Sequence, residues 1–167
     1  PAYLIRQLGH PRLLVLGDVM LDRYVWGDAE RVSPEVPVLV LRADEQELRL
    51  GGAASVAALA RGLDAGVELA GVVGDDSNGR CLQRLVEEQQ VGDCLLADAD
   101  RPTTTKERLM GRAANRHPHQ ILRVDYESRY PLAGSLESEL IESAVARLSE
   151  IDVVLVSDYG KGTCTPH

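Results

Sequence analysis

Apolar positions follow two different periods along this chain, and the alternation between them predicts its elements. Leu13–Leu16, Val67–Val73 and Val153–Val156 are near-continuous aliphatic runs. Such runs predict strands covered on both faces, as in a parallel sheet. Between them, Val56, Leu59, Ala60 and Leu63 recur at helical spacing, as do Leu82, Leu85 and Val86. These positions predict one-faced helices over 52–64 and 77–89. Asp75, Asp76 and Ser77 supply N-cap chemistry for the second of them. Leu136, Leu140, Ile141, Ala144, Val145 and Leu148 mark the buried face of a third helix. A weak strand is expected near Cys94–Ala97, and residues 2–8 read as a short leading helix.

Two β-rich stretches interrupt this order. One runs through RYVWG and VPVLVLR, about residues 23–42, with Ser33, Pro34 and Pro37 in its turn. The polar span Ala43–Arg49 then reads as a connection to Gly51-Gly52. The second stretch, about 103–125, holds TTTKERLM and QILRVD around the polar linker GRAANRHPH. The expected fold is α/β: a parallel-sheet core with helices on its faces, plus a small accessory β-sheet built from both stretches.

Composition narrows the function more than the fold. The 167 residues suit one domain, and 44% apolar with 26% charged content is ordinary for a globular protein. A formal net charge of -8 with no basic cluster argues against a nucleic-acid surface. No apolar run reaches the length of a membrane-spanning helix, so no membrane association is expected. No signal peptide is expected either. Three cysteines without paired spacing read as reduced thiols in the cytoplasm.

The candidate chemistry starts at LLVLGDVMLD. Gly17 takes the chain out of the first core strand, and Asp18 and Asp22 follow. Ligands of open α/β sheets bind beyond strand carboxyl ends, so Asp22 is the group expected to meet a polar ligand. Asp18 reads equally as the cap of a turn. Gly51 and Gly52 open a helix, where backbone can approach a ligand closely. GGAAS matches neither a dinucleotide fingerprint nor a P-loop. A carboxylate facing glycine backbone suits a pair of sugar hydroxyls. Lys106 and Arg108 share one strand face by alternation, and with Arg123 they are the cations available for a phosphate. Tyr159 and Lys161 stand at a strand exit. His117 and His119 lack metal-ligand neighbours and read as loop residues.

Taken together, VLGDVMLDRYVWG, RVSPEVPV, GGAASVA, VVGDDSNGR, TTTKERL, QILRVD and VSDYGKG resemble the ribokinase-like (PfkB) carbohydrate kinases. Within that family they are most similar to the branch acting on heptose 7-phosphate, found in bifunctional ADP-heptose synthases. The resemblance implies a ribokinase-like parallel-sheet core and a β-sheet lid that serves many relatives as a dimer clasp. It implies transfer of the γ-phosphate of ATP, with Mg2+, to O1 of a phosphorylated sugar for lipopolysaccharide synthesis. Asp22 then holds sugar hydroxyls, the Gly51-Gly52 backbone lies against the sugar, and Lys106 and Arg123 take the 7-phosphate. Ser55 stands where the family carries asparagine, and Lys161 lies in the SDYGKG element. The family's GAGD loop, which provides the anion hole and the aspartate base, does not occur in these residues. The chain is therefore expected to supply sugar recognition, with the base elsewhere.

Overall fold

The three apolar runs lie side by side in one sheet. A computed structural model describes residues 9–112 and 117–165. The expected helix over 2–8 and part of the 111–119 linker lie outside those residues. The core sheet has the strand order β5-β4-β1-β8 and is parallel throughout. Its strands are β1 (Arg12–Gly17), β4 (Gly66–Gly74), β5 (Gly92–Asp98) and β8 (Val153–Ser157). Helices α1 (Gly52–Gly62) and α2 (Ser77–Glu88) pack on one face through a cluster including Val15, Leu69, Ala57, Leu82 and Val86. Helix α3 (Gly134–Val145) covers the other face through Leu14, Ala70, Leu140 and Ala144. The expected helices on both faces of a parallel sheet are therefore present.

The second sheet, in the order β3-β2-β6-β7, is larger than the accessory sheet the sequence suggests. It comprises β2 (Val19–Val32), β3 (Leu39–Gly51), β6 (Thr105–Arg112) and β7 (His119–Tyr126). Two expectations need correction. Ala43–Arg49 is strand, because every residue from Ala43 to Arg49 except Asp44 is registered opposite β2. Its polarity reflects a strand with solvent on one face, which hydropathy alone cannot tell from a connection. Asp22 does not lie at the exit of the first core strand. It is the fourth residue of β2, since Asp18 alone separates the two sheets.

Helix burial also differs from the periodic reading. Helix α1 buries Ala53, Ala54 and Ala57, while Leu59 is 71% exposed and Leu63 75% exposed. Ala53, Ala54 and Ala57 lie on the face turned to the sheet, Leu59 lies off that face around the helix, and Leu63 is the residue that caps its end. Val153, Val154 and Val156 are about half exposed because β8 is an edge of the core sheet. His119 opens β7 opposite Gly111 instead of lying in a loop. All three cysteines are free. Burial and the neighbouring Glu68 carboxylate push the Cys94 thiol up to about 12, so it stays protonated.

The junction between the sheets is built on Asp18, which is 1% exposed. Its Oδ2 accepts from the backbone N–H of Tyr159 at 2.7 Å and of Lys161 at 3.1 Å. Its Oδ1 accepts from Thr163 N–H at 3.2 Å, and its own carbonyl accepts from Ala53 N–H at 2.9 Å. One residue thus fixes the end of β1, the start of α1 and the loop after β8. Gly52, at φ +53°, is needed there because a Cβ would strike the Asp18 carbonyl.

Hydrogen bonds to a charged group contribute about 1.5–3 kcal/mol each, so Asp18→Ala should cost roughly 3 kcal/mol or more. Urea unfolding of the two proteins checks this, and a loss below about 1 kcal/mol contradicts the bracing role.

Candidate functional site

The pairing registers place eight polar and aromatic side chains on one face of the second sheet, in two rows of four. Residues directly opposite across neighbouring strands share a face. One row runs Arg49, Asp22, Lys106, Asp125, and the next runs Glu47, Tyr24, Arg108, Arg123. Leu48 and Leu50, on the other face of β3, pack against the core cluster. That packing aims the polar face away from the core interior.

Asp22 occupies the centre. Its Oδ2 lies 2.9 Å from where a Gly51 Cβ would stand, so only glycine leaves room for the carboxylate against the backbone. Its Oδ1 accepts from Arg108 Nη1 at 2.6 Å, and both side chains are 19% exposed. Arg108 also donates to the Lys106 carbonyl at 3.3 Å. The Arg108 and Arg49 guanidinium carbons lie 5.2 and 4.6 Å from the Tyr24 ring centroid, so the ring orients both cations.

Most charges on this face are already matched. Arg49 pairs with Glu47 through two 2.7 Å bonds, which lower the Glu47 carboxyl and raise the Arg49 guanidinium. Arg123 is exposed and binds both oxygens of Asp125 at 2.8 and 3.0 Å. Lys106 is the one cation of this face without an ion-pair partner among the described residues.

The other expected residues lie elsewhere. Ser55 turns its hydroxyl back to the Gly52 carbonyl at 2.8 Å and lines a groove of about 480 Å³ with Leu48, Leu59 and Leu85. The Lys161 ammonium lies 2.7 Å from Glu127 Oε2, and both side chains are largely buried. Tyr159 is exposed. His117 belongs to no group of three or more metal-ligating side chains among the described residues.

The sequence offered Arg108 as one of three cations for a phosphate, with Lys106 and Arg123 preferred, and it did not single out Tyr24. Alternation along β6 puts Arg108 beside Lys106, but the β2–β6 register brings it to Asp22. It also missed the Arg23 latch: Nη2 donates to Asn78 Oδ1 at 2.5 Å and fastens the second sheet to α2. Asn78 in turn donates to Thr105 Oγ1 at 3.1 Å. Asp76, the α2 cap, accepts from Gly79 N–H at 2.7 Å and Thr103 N–H at 2.9 Å. Burial pushes the Asp76 carboxyl up, but these bonds outweigh it and the net shift is downward. The Lys161 bond, followed in weight by burial in the opposite sense and then by Arg129, gives Glu127 a lowered pKa too.

Both carboxyls bind protons more readily once the chain unfolds. Their stabilisation is therefore present above the ordinary values of 3.8 and 4.5 and is lost as pH falls through the depressed folded values. Asp76→Asn and Glu127→Gln should each lower stability at pH 7 and flatten its decline from pH 5 to about 3, measured by urea midpoints. An unchanged acid slope in both variants contradicts these assignments.

No family model matches the chain. A D-beta-D-heptose 7-phosphate kinase of Bordetella bronchiseptica is 45% identical over 96% of this chain and 49% of its own length. A bifunctional protein HldE of Citrifermentans bemidjiense is 43% identical over 93% of this chain and 31% of its own. The chain thus spans 31 to 49% of the length of these relatives. A carbohydrate kinase from Agrobacterium tumefaciens superposes with a TM-score of 0.66 at 16% identity, covering 87% of this chain and 45% of that one. Phosphofructokinase-2 from Escherichia coli, in complex with fructose-6-phosphate, gives 0.59 at 19% identity, over 89% and 45%. The chain is therefore a homologue, over nearly all its length, of part of the heptose 7-phosphate kinases, and it has the ribokinase-like carbohydrate-kinase fold.

Proposed function

We propose that this chain is the sugar-recognition part of an ATP-dependent kinase that phosphorylates D-glycero-β-D-manno-heptose 7-phosphate at O1. The observation that carries the reading is the Asp22 carboxylate lying against Gly51, flanked by Arg108 and the unpaired Lys106. A carboxylate in that position accepts from two adjacent hydroxyls, and the flanking cations suit a substrate that already bears a phosphate. The name of the Bordetella relative, a heptose 7-phosphate kinase, supports the same substrate class. On this reading the protein works in the cytoplasm, in ADP-heptose supply for lipopolysaccharide. No helix among the described residues is long and apolar enough to cross a membrane.

ATP with Mg2+ is the donor that kinase homologues imply. Among the described residues no three His, Cys, Asp or Glu side chains converge on one point. What this chain supplies is substrate orientation, to which phosphoryl transfer owes much of its rate. The second sheet acts as a lid over the sugar. Its exposed Val32, Val36, Val38 and Leu39 favour pairing with a second copy, as a homodimer. Sedimentation should show a dimer that Val38→Asp splits; a monomeric native protein refutes the clasp.

Heptose 7-phosphate should raise the melting temperature more than heptose, ribose or fructose does; equal protection by all four contradicts the phosphate reading. Asp22→Ala should weaken heptose 7-phosphate binding by at least about tenfold, the equivalent of one lost charge-assisted hydrogen bond. Circular dichroism should remain native in that variant, and calorimetry reads the affinity. Undiminished binding removes Asp22 from the site.

A further inference from the structure

Arg108 is held to Asp22 by one nitrogen only. Nη1 serves both the Asp22 carboxylate and the Lys106 carbonyl, whereas Nε and Nη2 have no hydrogen-bond partner among the described residues. The guanidinium rests on Tyr24, and the Lys106 ammonium on the same face is also unpaired. A cation with half its donors unused beside a second free cation is an anion receptor in waiting. Meanwhile it takes one acceptor position of Asp22 Oδ1 and competes there with a sugar hydroxyl.

We propose that Arg108 determines specificity for phosphorylated sugars, by locking Asp22 against neutral sugars and releasing it when a phosphate ester draws the guanidinium away. The inference rests on the reading of Asp22 as the hydroxyl-binding group. In this half-buried setting, neutral hydroxyls offer weaker hydrogen bonds than the guanidinium they must displace. A phosphate dianion gives Arg108 a bidentate, charge-assisted replacement for Asp22, with Lys106 as second donor. Both Asp22 oxygens are then free for the sugar. The remaining cations of the face, Arg49 and Arg123, are paired with Glu47 and Asp125.

The signature is a pair of opposite changes. Calorimetry with heptose 7-phosphate and with the same heptose lacking phosphate, on native protein and Arg108→Ala, reads it directly. The variant should bind the phosphorylated sugar about tenfold more weakly and the unphosphorylated sugar about threefold more tightly, because Asp22 is unlocked. If Arg108→Ala does not fold, Arg108→Gln, which keeps the side-chain stem over Tyr24, gives the same readout. Equal weakening for both sugars means that Arg108 only orients Asp22, and overturns the lock. Unchanged affinity for both overturns it as well. Native protein that binds neither sugar refutes the sugar-site reading and this inference together. Native binding with unaltered selectivity in the variant refutes only the inference.

Discussion

The Asp18 carboxylate is the constraint on which the rest of the architecture depends. Buried at the one-residue junction between the two sheets, it draws three backbone N–H groups from the loop after β8. Its carbonyl meanwhile receives the first turn of α1. A buried carboxylate is costly unless its oxygens are filled, and here donors from distant sequence fill them. The direction in which β2 leaves the core, and with it the position of Asp22, is set by this bracing. The latch from Arg23 to Asn78 fastens the same sheet from its opposite face.

Electrostatic matching on the exposed face of the second sheet has a different character. The face is crowded with charge, yet its members pair off, leaving Lys106 as the unmatched cation among the described residues. The long side chains are held down on Tyr24 and by carboxylates, so ordering them for a ligand costs less conformational entropy. An acidic protein can in this way hold a local anion site without a basic patch. The overall charge of -8 describes the surface as a whole and says little about one strand face.

Much of this was legible in the chain itself. The unbroken runs at 13–16 and 67–73 are core strands, and Asp76 caps α2 as its residue type suggests. GGAAS does open a helix, with its glycines against Asp22 and Asp18. Where reading failed, the reason is physical. Ala43–Arg49 looks like a connection because a strand with one wet face need not be apolar. Leu59 and Leu63 look buried because apolar residues recur on more than one side of the helix, and periodicity does not say which side turns to the sheet. The Arg108 pairing with Asp22 was not foreseen because alternation only groups Arg108 with Lys106 and gives no register between strands.

Local chemistry therefore determined the elements, their order and the presence of a carboxylate, paired glycines and cations. These follow from aliphatic continuity, cap residues and turn residues, whose effects act over a few positions. Which cation meets Asp22, that Asp18 braces the junction between the sheets, and that Lys161 is spent on Glu127, were decided only in three dimensions. Strand register and loop closure join residues such as Asp22 to Arg108 and Asp18 to Thr163, too far apart in the chain for any local pattern to connect.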